Sequence, residues 1–378
     1  MHLSWKKLQW LRFRRWLRQN KGPVLALVLG CAAVCLFWVL RGSKACMDWF
    51  ILHFSAPWKR FFGGLAELLP FSAAELAVTI FVLWAVFMLA HAIYQKRVHY
   101  RNMIARRILC LCAALVWVYA GFCGFWGVHY YGTGFSEKSG LYPKPVSLEA
   151  LENTTRFFAQ GAVEASGRVQ RGSDNRFAAD NQQILAYGDA CYEQIVQQWP
   201  FLEGPHRSPK PAGYSVLMSL SGFTGYLFPF LGESTLNVHC PNVYLPVTIA
   251  HEMAHQRGVA PEQEANFLGI AACLSCDNAD YRYSGWLFGL SHLSSALNSV
   301  APQAWQSIYE QLDEGCKADL AWNREYWQGF DSPVGSLVQT GYSGFLQSYG
   351  QKLGLKSYGA CVDLLVAYYE TECGKTMA

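Results

Sequence analysis

The chain has 378 residues, of which 52% are hydrophobic and 15% are charged, and its formal net charge is +4. Soluble domains usually carry about a quarter charged residues, so the composition argues against a wholly soluble protein. The small positive charge is concentrated near the N-terminus beside apolar runs, which argues against a nucleic-acid-binding protein. The length is sufficient for a membrane region and one sizeable domain.

Residues 1–22 form a basic arm in which aromatic and cationic side chains are interleaved, and we predict a helix at the cytoplasmic membrane surface. The next run, 23–40, is apolar and uncharged, close to the roughly 20 residues that cross a bilayer. A cleaved signal peptide is the alternative for this run. The long basic lead-in and the lack of a small-residue cleavage site favour an uncleaved span.

Two further apolar runs, 73–94 and 108–128, are also long enough to cross a membrane. A basic connector separates them, and positive charge favours the cytoplasmic side. We therefore predict a membrane region over residues 23–128 with three spans, the N-terminus in the cytoplasm, and the chain after the third span outside. Aromatic residues between the first two spans predict an amphipathic helix on the outer surface: Trp49, Phe50, Phe54, Trp58, Phe61 and Phe62.

Residues 129–378 contain no uncharged run of spanning length, and we predict a mainly α (α+β) extracytoplasmic domain there. Alternating patterns at 214–220 and 235–239 predict short strands within it. Cys273 and Cys276 have the spacing of metal ligands, but no second pair completes a tetrahedral site, so we interpret them as structural. In an oxidising compartment some of the seven cysteines of this domain could pair, with at least one left over: Cys191, Cys240, Cys273, Cys276, Cys316, Cys361 and Cys373.

The most informative stretch is His251-Glu252-Met-Ala-His255, which lies between Pro246 and Gly258. Proline suits a first helical turn and glycine the position after a helix end, so we predict a helix with both histidines on one face, one turn apart. Two such histidines can hold zinc, and Glu252 can accept the proton of an attacking water. Small and apolar neighbours predict a buried helix, in which these polar groups are costly without partners. A hydrogen-bonded polar cluster without a metal is the alternative.

A catalytic zinc usually has three protein ligands, and the next acidic residues lie just downstream. Pro261 suits the start of a second helix, so Glu264 in its first turn could face His255 across a tight turn. We predict Glu264 as the third ligand. Glu262 is the alternative because the sequence does not fix the helix phase to one residue. Acidic residues also favour a helix N-terminus without binding a metal.

Other residues near the motif are candidates for supporting roles. Residues 235–239 could form an edge strand beside the active-site helix, to which an extended substrate adds by backbone hydrogen bonds. Arg257 could pair with Glu262 or Glu264. Three side chains are possible hydrogen-bond donors to the oxyanion of a transition state: His239, Tyr244 and Tyr283.

The segments His251-Glu-Met-Ala-His-Gln-Arg-Gly258 and Glu262-Gln-Glu-Ala-Asn-Phe267 resemble the bacterial membrane-anchored zincins catalogued as the domain of unknown function 3810 family. Matching pieces elsewhere are Ser221-Gly-Phe-Thr-Gly225, Tyr283-Ser-Gly285 and Lys356-Ser-Tyr-Gly359. The three N-terminal spans match as well, so the resemblance covers nearly the whole chain. It implies a zincin-like fold for residues 129–378 and a peptidase whose substrate is unknown. It also implies that the glutamate of a Glu-Ala-Asn-like segment, here Glu264, is the third ligand.

Together these observations predict a zinc metallopeptidase in a bacterial cell membrane, with one zinc per chain and Glu252 as general base. Its predicted partners are the lipid bilayer and a peptide or protein substrate near the outer membrane face, and not nucleic acid. Two alternatives remain open. One is a membrane sensor or assembly protein with a structural or vestigial zinc site, and the other is a zinc amidase that acts on cell-wall peptides.

Overall fold

The computed structural model describes residues 5–97, 101–205, 207–349 and 358–376. The chain is mostly helical and contains one small sheet. It divides into two compact units. Unit 1 comprises Met1–Pro57 and Glu75–Gly132, and unit 2 comprises Trp58–Ala74 and Thr133–Ala378.

The first six helices contain the predicted membrane region: α1 (Trp5–Gln19), α2 (Lys21–Leu40), α3 (Lys44–Phe50), α4 (Ala56–Glu67), α5 (Ala73–Arg97) and α6 (Arg101–Phe125). Three stretches in them are long and apolar enough to cross a membrane, namely Lys21–Leu40, Ala73–Tyr94 and Ile104–Phe125. The three predicted apolar helices are therefore confirmed. The third ends at Phe125 rather than at residue 128, because a 3-10 turn at Gly127–Tyr130 follows it.

The segment between the first two spans is helical, as predicted, but it is divided by a π-helical turn at Ile51–Ser55. Most of α4 belongs to unit 2, where one face of it is buried, including Gly63 and Ala66. The indole Nε1 of Trp58 donates to the carbonyl oxygen of Phe230 at 2.9 Å. This helix therefore packs against the domain that follows the third apolar helix, a role that its amphipathic pattern did not indicate.

Unit 2 contains twelve described helices besides α4: α7 (Phe135–Ser139), α8 (Leu148–Ser166), α9 (Asn181–Tyr187), α10 (Glu193–Gln198), α11 (Ser215–Ser221), α12 (Leu245–Gln256), α13 (Glu262–Ser275), α14 (Ala279–Val300), α15 (Pro302–Glu310), α16 (Glu314–Gly329), α17 (Pro333–Ser348) and α18 (Tyr358–Thr376). A three-stranded sheet accompanies them. Its strands are β1 (Lys210–Pro211), β2 (Gly225–Phe228) and β3 (Glu233–Leu236). The domain is thus mainly α, with a minor β component.

The strand order is β1-β3-β2, with β3 parallel to β1 and antiparallel to β2. The strand predicted at 235–239 instead starts at Glu233, ends at Leu236, and lies in the centre of the sheet rather than at its edge. The strand predicted at 214–220 is wrong, because this segment forms α11. A run of seven residues is too short to separate the helical period from the strand period, and Gly222, with φ of 76°, ends the helix in a left-handed cap.

Helix α12 lies in the core of unit 2, where it contacts α13, α14 and the sheet. The close approach of α13 to α12 depends on Gly269. A Cβ atom at that position would lie 3.1 Å from the backbone nitrogen of His251. Four side chains of α12 are fully buried: Ile249, Ala250, Met253 and Ala254. The helix that carries the histidines is therefore held on several sides by close packing.

None of the twelve cysteines that the structure describes takes part in a disulfide, and Cys373 lies outside the residues whose side chains are described. Cys273 and Cys276 are buried, and the Cys276 thiol donates to the Cys273 carbonyl oxygen at 3.3 Å. Burial raises the pKa of both thiols. Neutral, buried thiols behave as small apolar side chains, which agrees with the structural interpretation of this pair.

Candidate metal centre

The helix predicted between Pro246 and Gly258 is confirmed as α12, with Pro246 in its first turn. It ends where Gly258 adopts φ of 87°, a conformation that glycine takes without steric cost. The amide of Gly258 donates to the carbonyl oxygen of His255, and that of Val259 to the carbonyl oxygen of Ala254. This tight end reverses the chain and leads directly into α13.

The two histidines lie side by side on α12, with ring centroids 4.6 Å apart and ring planes at 86°. The Nδ1 atom of His255 lies 2.7 Å from the carbonyl oxygen of Val259. Because a carbonyl oxygen can only accept, Nδ1 donates, and Nε2 faces the site. A backbone partner of this kind fixes the ring orientation of a metal-binding histidine.

The carboxylate that lies with the histidines belongs to Glu262, at the first position of α13. Its Oε2 atom is 3.4 Å from Nε2 of His251 and 3.6 Å from Nε2 of His255. The hydroxyl of Tyr342, on α17, donates to the Oε1 atom of the same carboxylate at 2.8 Å. The position of Glu262 is therefore set by the start of α13, and its carboxylate is oriented by a tyrosine that is far away in the sequence.

Glu264 points to a different part of unit 2. Its carboxylate accepts from the backbone amides of Phe135 and Ser136 at 3.3 and 3.4 Å, and from the Ser136 hydroxyl at 3.3 Å. The structure therefore brings Glu262, and not the predicted Glu264, to the two histidines. The physical reason is the helix phase: α13 starts at Glu262, and two residues correspond to about 200° of rotation around the helix.

The three side chains fit a divalent metal with nitrogen and oxygen ligands. Among the described residues, His251, His255 and Glu262 form a group whose ligand atoms all lie within 4.8 Å of one another. Tetrahedral ligands at about 2.0–2.2 Å from a zinc ion are separated by about 3.3–3.6 Å, and the two ion-pair distances to Glu262 are 3.4 and 3.6 Å. Two histidines and a glutamate form one of the known catalytic zinc sites.

Glu252 lies on the same helix, and its side chain is buried against β2. Its Oε2 atom is buried and has no hydrogen-bond partner among the described residues, which is costly for a carboxylate unless a ligand or water completes the site. A Cβ atom at Gly225, the first residue of β2, would lie 2.5 Å from Oε1 of Glu252. The strand can therefore pass over this carboxylate only because position 225 has no side chain.

The histidines and glutamates of this site shift one another's pKa values. Burial raises the pKa of Glu252, although the nearby histidines oppose this effect. Burial acts to lower the pKa of His255, but the negative charge of Glu262 outweighs it and raises that pKa to about 9. Burial would raise the pKa of Glu262, yet the two histidines hold it well below its usual range. The negative charge that attracts a proton to Nε2 of His255 also attracts a metal cation.

The other predicted side chains have partners away from this group. His239 is exposed, and its Nδ1 atom lies 2.8 Å from the hydroxyl of Tyr326. The guanidinium of Arg257 lies over the ring of Tyr192, 4.1 Å from its centroid, and donates to the Met253 carbonyl oxygen. The predicted pairing of Arg257 with Glu262 or Glu264 is therefore wrong, because its guanidinium contacts Tyr192 and the Met253 carbonyl oxygen instead.

The two tyrosines predicted as donors are both buried. Tyr283 donates its hydroxyl to Oδ2 of Asp319 at 2.6 Å, and Arg171 pairs with the same oxygen at 3.0 Å. This places Tyr283 in a buried charged network rather than at the histidines. The ring of Tyr244 packs edge-on against Phe288, with centroids 5.5 Å apart, and burial raises the pKa of its hydroxyl.

The comparisons with known proteins give one match. A family model described as "Protein of unknown function (DUF3810)" matches residues 53–366. The chain belongs to this family. No curated protein and no solved structure matches the chain. The match covers the candidate centre and two of the three apolar helices, and it assigns no activity.

In this family member, two residues of the centre had no assigned role at the sequence level. No local sequence pattern points to a role for Tyr342, because this residue lies 80 positions from its partner Glu262. Gly225 is the last residue of the Ser221–Gly225 segment that carries part of the family resemblance, but that segment alone does not indicate a contact with Glu252. Both contacts arise only when separate elements pack together.

Proposed function

We propose that this chain is a membrane-anchored zinc peptidase in which His251, His255 and Glu262 bind the metal. The observation that carries the proposal is the convergence of two imidazole nitrogens and one carboxylate oxygen beside the buried Oε2 atom of Glu252, which has no hydrogen-bond partner in the part of the chain that the structure describes. A structural zinc site has no use for a second acidic side chain without a hydrogen-bond partner, whereas hydrolysis requires a base at this position.

A zinc ion at these ligands would lower the pKa of water in its open coordination position towards 7 and would polarise a peptide carbonyl. Glu252 would accept the proton from the attacking water and later return it to the amine of the leaving peptide. Val259 and Tyr342 would orient the ligands, because they hold His255 and Glu262 in place. Gly225 would leave the space that the Glu252 carboxylate needs.

The test uses the full-length protein in detergent, with zinc measured by atomic spectrometry and hydrolysis measured on a peptide library. Wild type should contain about one zinc per chain, and Glu252→Gln should retain it while losing at least about 99% of the activity, as expected for removal of a general base. A combined His251→Ala and His255→Ala change should remove the metal. Full activity in Glu252→Gln, or stoichiometric zinc in the double variant, would overturn the proposal.

The same assay separates the alternative functions. Cleavage of peptidoglycan but not of the peptide library would identify an amidase that acts on cell-wall peptides. Zinc binding without hydrolysis of either substrate would indicate a sensor or assembly protein with a structural site. All three outcomes are measured on the same protein preparation. Its zinc content shows whether the metal centre is intact in that preparation.

We further propose a location for the centre. The basic arm of residues 1–22 and the basic connector between the second and third apolar helices would both be cytoplasmic, as positive charge favours. Three spans would then carry the chain after the third apolar helix to the outer face of a bacterial cell membrane. The metal centre would act there on peptide or protein segments.

A further inference from the structure

Unit 2 carries an apolar surface that its own core does not cover. We use the term apolar surface for the exposed side chains of α11 and α17 and of the residue that precedes α11: Tyr214, Val216, Leu217, Leu220, Leu337 and Val338. Leu217 is 59% exposed and Leu337 is 73% exposed. Contiguous apolar surface is uncommon on soluble domains and usually marks an interaction site.

The two helices that form this surface are in direct contact. A Cβ atom at Gly335 would lie 2.8 Å from the carbonyl oxygen of Leu220, and one at Gly222 would meet the side chain of Gln339. Neither helix contains an aspartate, glutamate, lysine or arginine. A water-exposed helix face normally carries charged residues, so the composition of α11 and α17 suits an apolar environment rather than bulk water.

Strand β1, which precedes α11, is bonded to the segment that enters the second apolar helix. The ammonium group of Lys210, close before α11, donates to the carbonyl oxygens of Ala66, Leu69 and Phe71 at 2.6, 2.9 and 3.2 Å. Leu68 and Phe71 of this segment are themselves exposed, at 79% and 49%. All these residues belong to unit 2.

This segment is covalently continuous with α5. Oε1 of Glu233, in β3, accepts from the backbone amide of Ala74 at 3.0 Å and from the Ser72 hydroxyl at 2.9 Å. The sheet of unit 2 is therefore bonded to the first turn of a helix that is long and apolar enough to cross a membrane. Leu68 and Phe71 therefore lie within five residues of the start of this helix in the chain.

We propose that the apolar surface, together with Leu68 and Phe71, inserts into the interfacial layer of the lipid bilayer. Burying exposed leucine, valine and phenylalanine side chains among acyl chains is favourable, and the absence of charge removes the main cost. A second copy of the chain is the competing partner for an apolar surface. Lipid is favoured because both helices lack charged residues, and because the segment with Leu68 and Phe71, to which Lys210 is bonded, leads in the chain into a helix long and apolar enough to cross a membrane.

The position of the surface also has a consequence for the substrate, which rests on the proposed peptidase function. Phe223, directly after the cap of α11, packs edge-on against Tyr342, with ring centroids 5.4 Å apart. Tyr342 in turn binds Glu262. The apolar surface therefore borders the metal centre, and the substrate class that fits is a peptide segment that leaves or lies on the membrane.

The test uses the full-length chain in phosphatidylcholine and phosphatidylglycerol vesicles. A photo-crosslinking amino acid replaces Leu217 or Leu337, and matched probes replace Leu148 and Val300, which are 52% and 64% exposed on other helices of unit 2. We expect lipid adducts at 217 and 337 to exceed those at 148 and 300 about tenfold, as expected for side chains within the interface. Probes at Val216 and Val338 provide a second pair should either leucine position reduce the yield of folded protein.

Equal lipid labelling at the surface and control positions would overturn the proposal. Crosslinks between two copies of the chain, in place of lipid adducts, would also overturn it and would identify the surface as a homomeric interface. The measurement records contact with lipid and not hydrolysis. A negative result therefore leaves the proposed peptidase function standing, and loss of the peptidase function leaves this result unchanged.

Discussion

Glu262 and Glu264 lie two positions apart at the start of α13 and have different surroundings. Glu262 faces the Nε2 atoms of both histidines and accepts a hydrogen bond from Tyr342. Glu264 accepts from the backbone amides at the start of α7, which satisfies its carboxylate without a metal. The difference comes from the direction in which each side chain leaves the helix, since both residues have the same chemistry.

Replacing each carboxylate separately distinguishes a ligand from a neighbour. We expect Glu262→Gln to weaken zinc binding by at least about 100-fold, because loss of an orienting partner alone costs about 10–100-fold. Glu264→Gln should bind zinc like wild type, although it should be less stable because an amide replaces the charged acceptor. Competition with a chelator of known affinity measures both. Weakened binding in Glu264→Gln together with normal binding in Glu262→Gln would restore Glu264 as the ligand.

At the scale of elements, the contact between β2 and α12 controls the space around the base. Gly225 begins β2 and lies against the carboxylate of Glu252, while β3 places the hydroxyl of Ser234 at 3.3 Å from the Glu252 carbonyl oxygen. The sheet therefore contacts both the backbone and the side chain at this position. A small change in β2 should move the carboxylate without disturbing the metal ligands.

Gly225→Ala is the smallest such change. Its new methyl group would displace the Glu252 carboxylate, so we expect hydrolysis to fall about tenfold or more, since misplacing a catalytic group by about 1 Å can cost 100-fold. Zinc content should remain unchanged. Gly344→Ala is the matched control, because a Cβ atom there meets nothing within 4 Å. Wild-type activity in Gly225→Ala, measured on the same peptide, would show that this contact does not control the reaction.

Another arrangement at this scale is the buried network of Asp319, which joins α14 and α16 to the chain after α8. Tyr283 and Arg171 both contact Oδ2 of Asp319, and the backbone amide of Phe177 donates to its Oδ1 atom at 2.8 Å. Burial without these partners would be costly for a carboxylate. The network therefore accounts for the presence of Tyr283 in a fully buried position.

At the scale of the whole molecule, the sidedness of unit 2 decides which substrates can reach the centre. Protease added to intact cells whose outer surface is accessible should degrade the C-terminal domain and leave a membrane-embedded fragment, because the proposed topology places residues 129–378 outside. The blot uses an antibody against the C-terminal domain. Complete protection in intact cells, with rapid cleavage after lysis, would reverse the topology.

Several features were predictable from the sequence because their causes are local. A helix with histidines four positions apart follows from proline, glycine and apolar residues within one short segment, and α12 is confirmed. The three apolar helices follow from composition over about 20 residues, and they are confirmed within a few residues. In both cases the deciding interactions involve neighbours in the chain or the solvent.

The remaining features were decided by tertiary packing. Whether Glu262 or Glu264 faces the histidines depends on the residue at which α13 starts and on its packing against α12, which Gly269 permits through close backbone contact. The partnership of Tyr342 with Glu262 links residues 80 positions apart, and no local pattern records such a contact. The central position of β3 likewise depends on strands on both sides of it. One short segment of the sequence contains all the histidines and glutamates of the candidate centre. Only the packing of the helices determines which carboxylate lies with the two histidines.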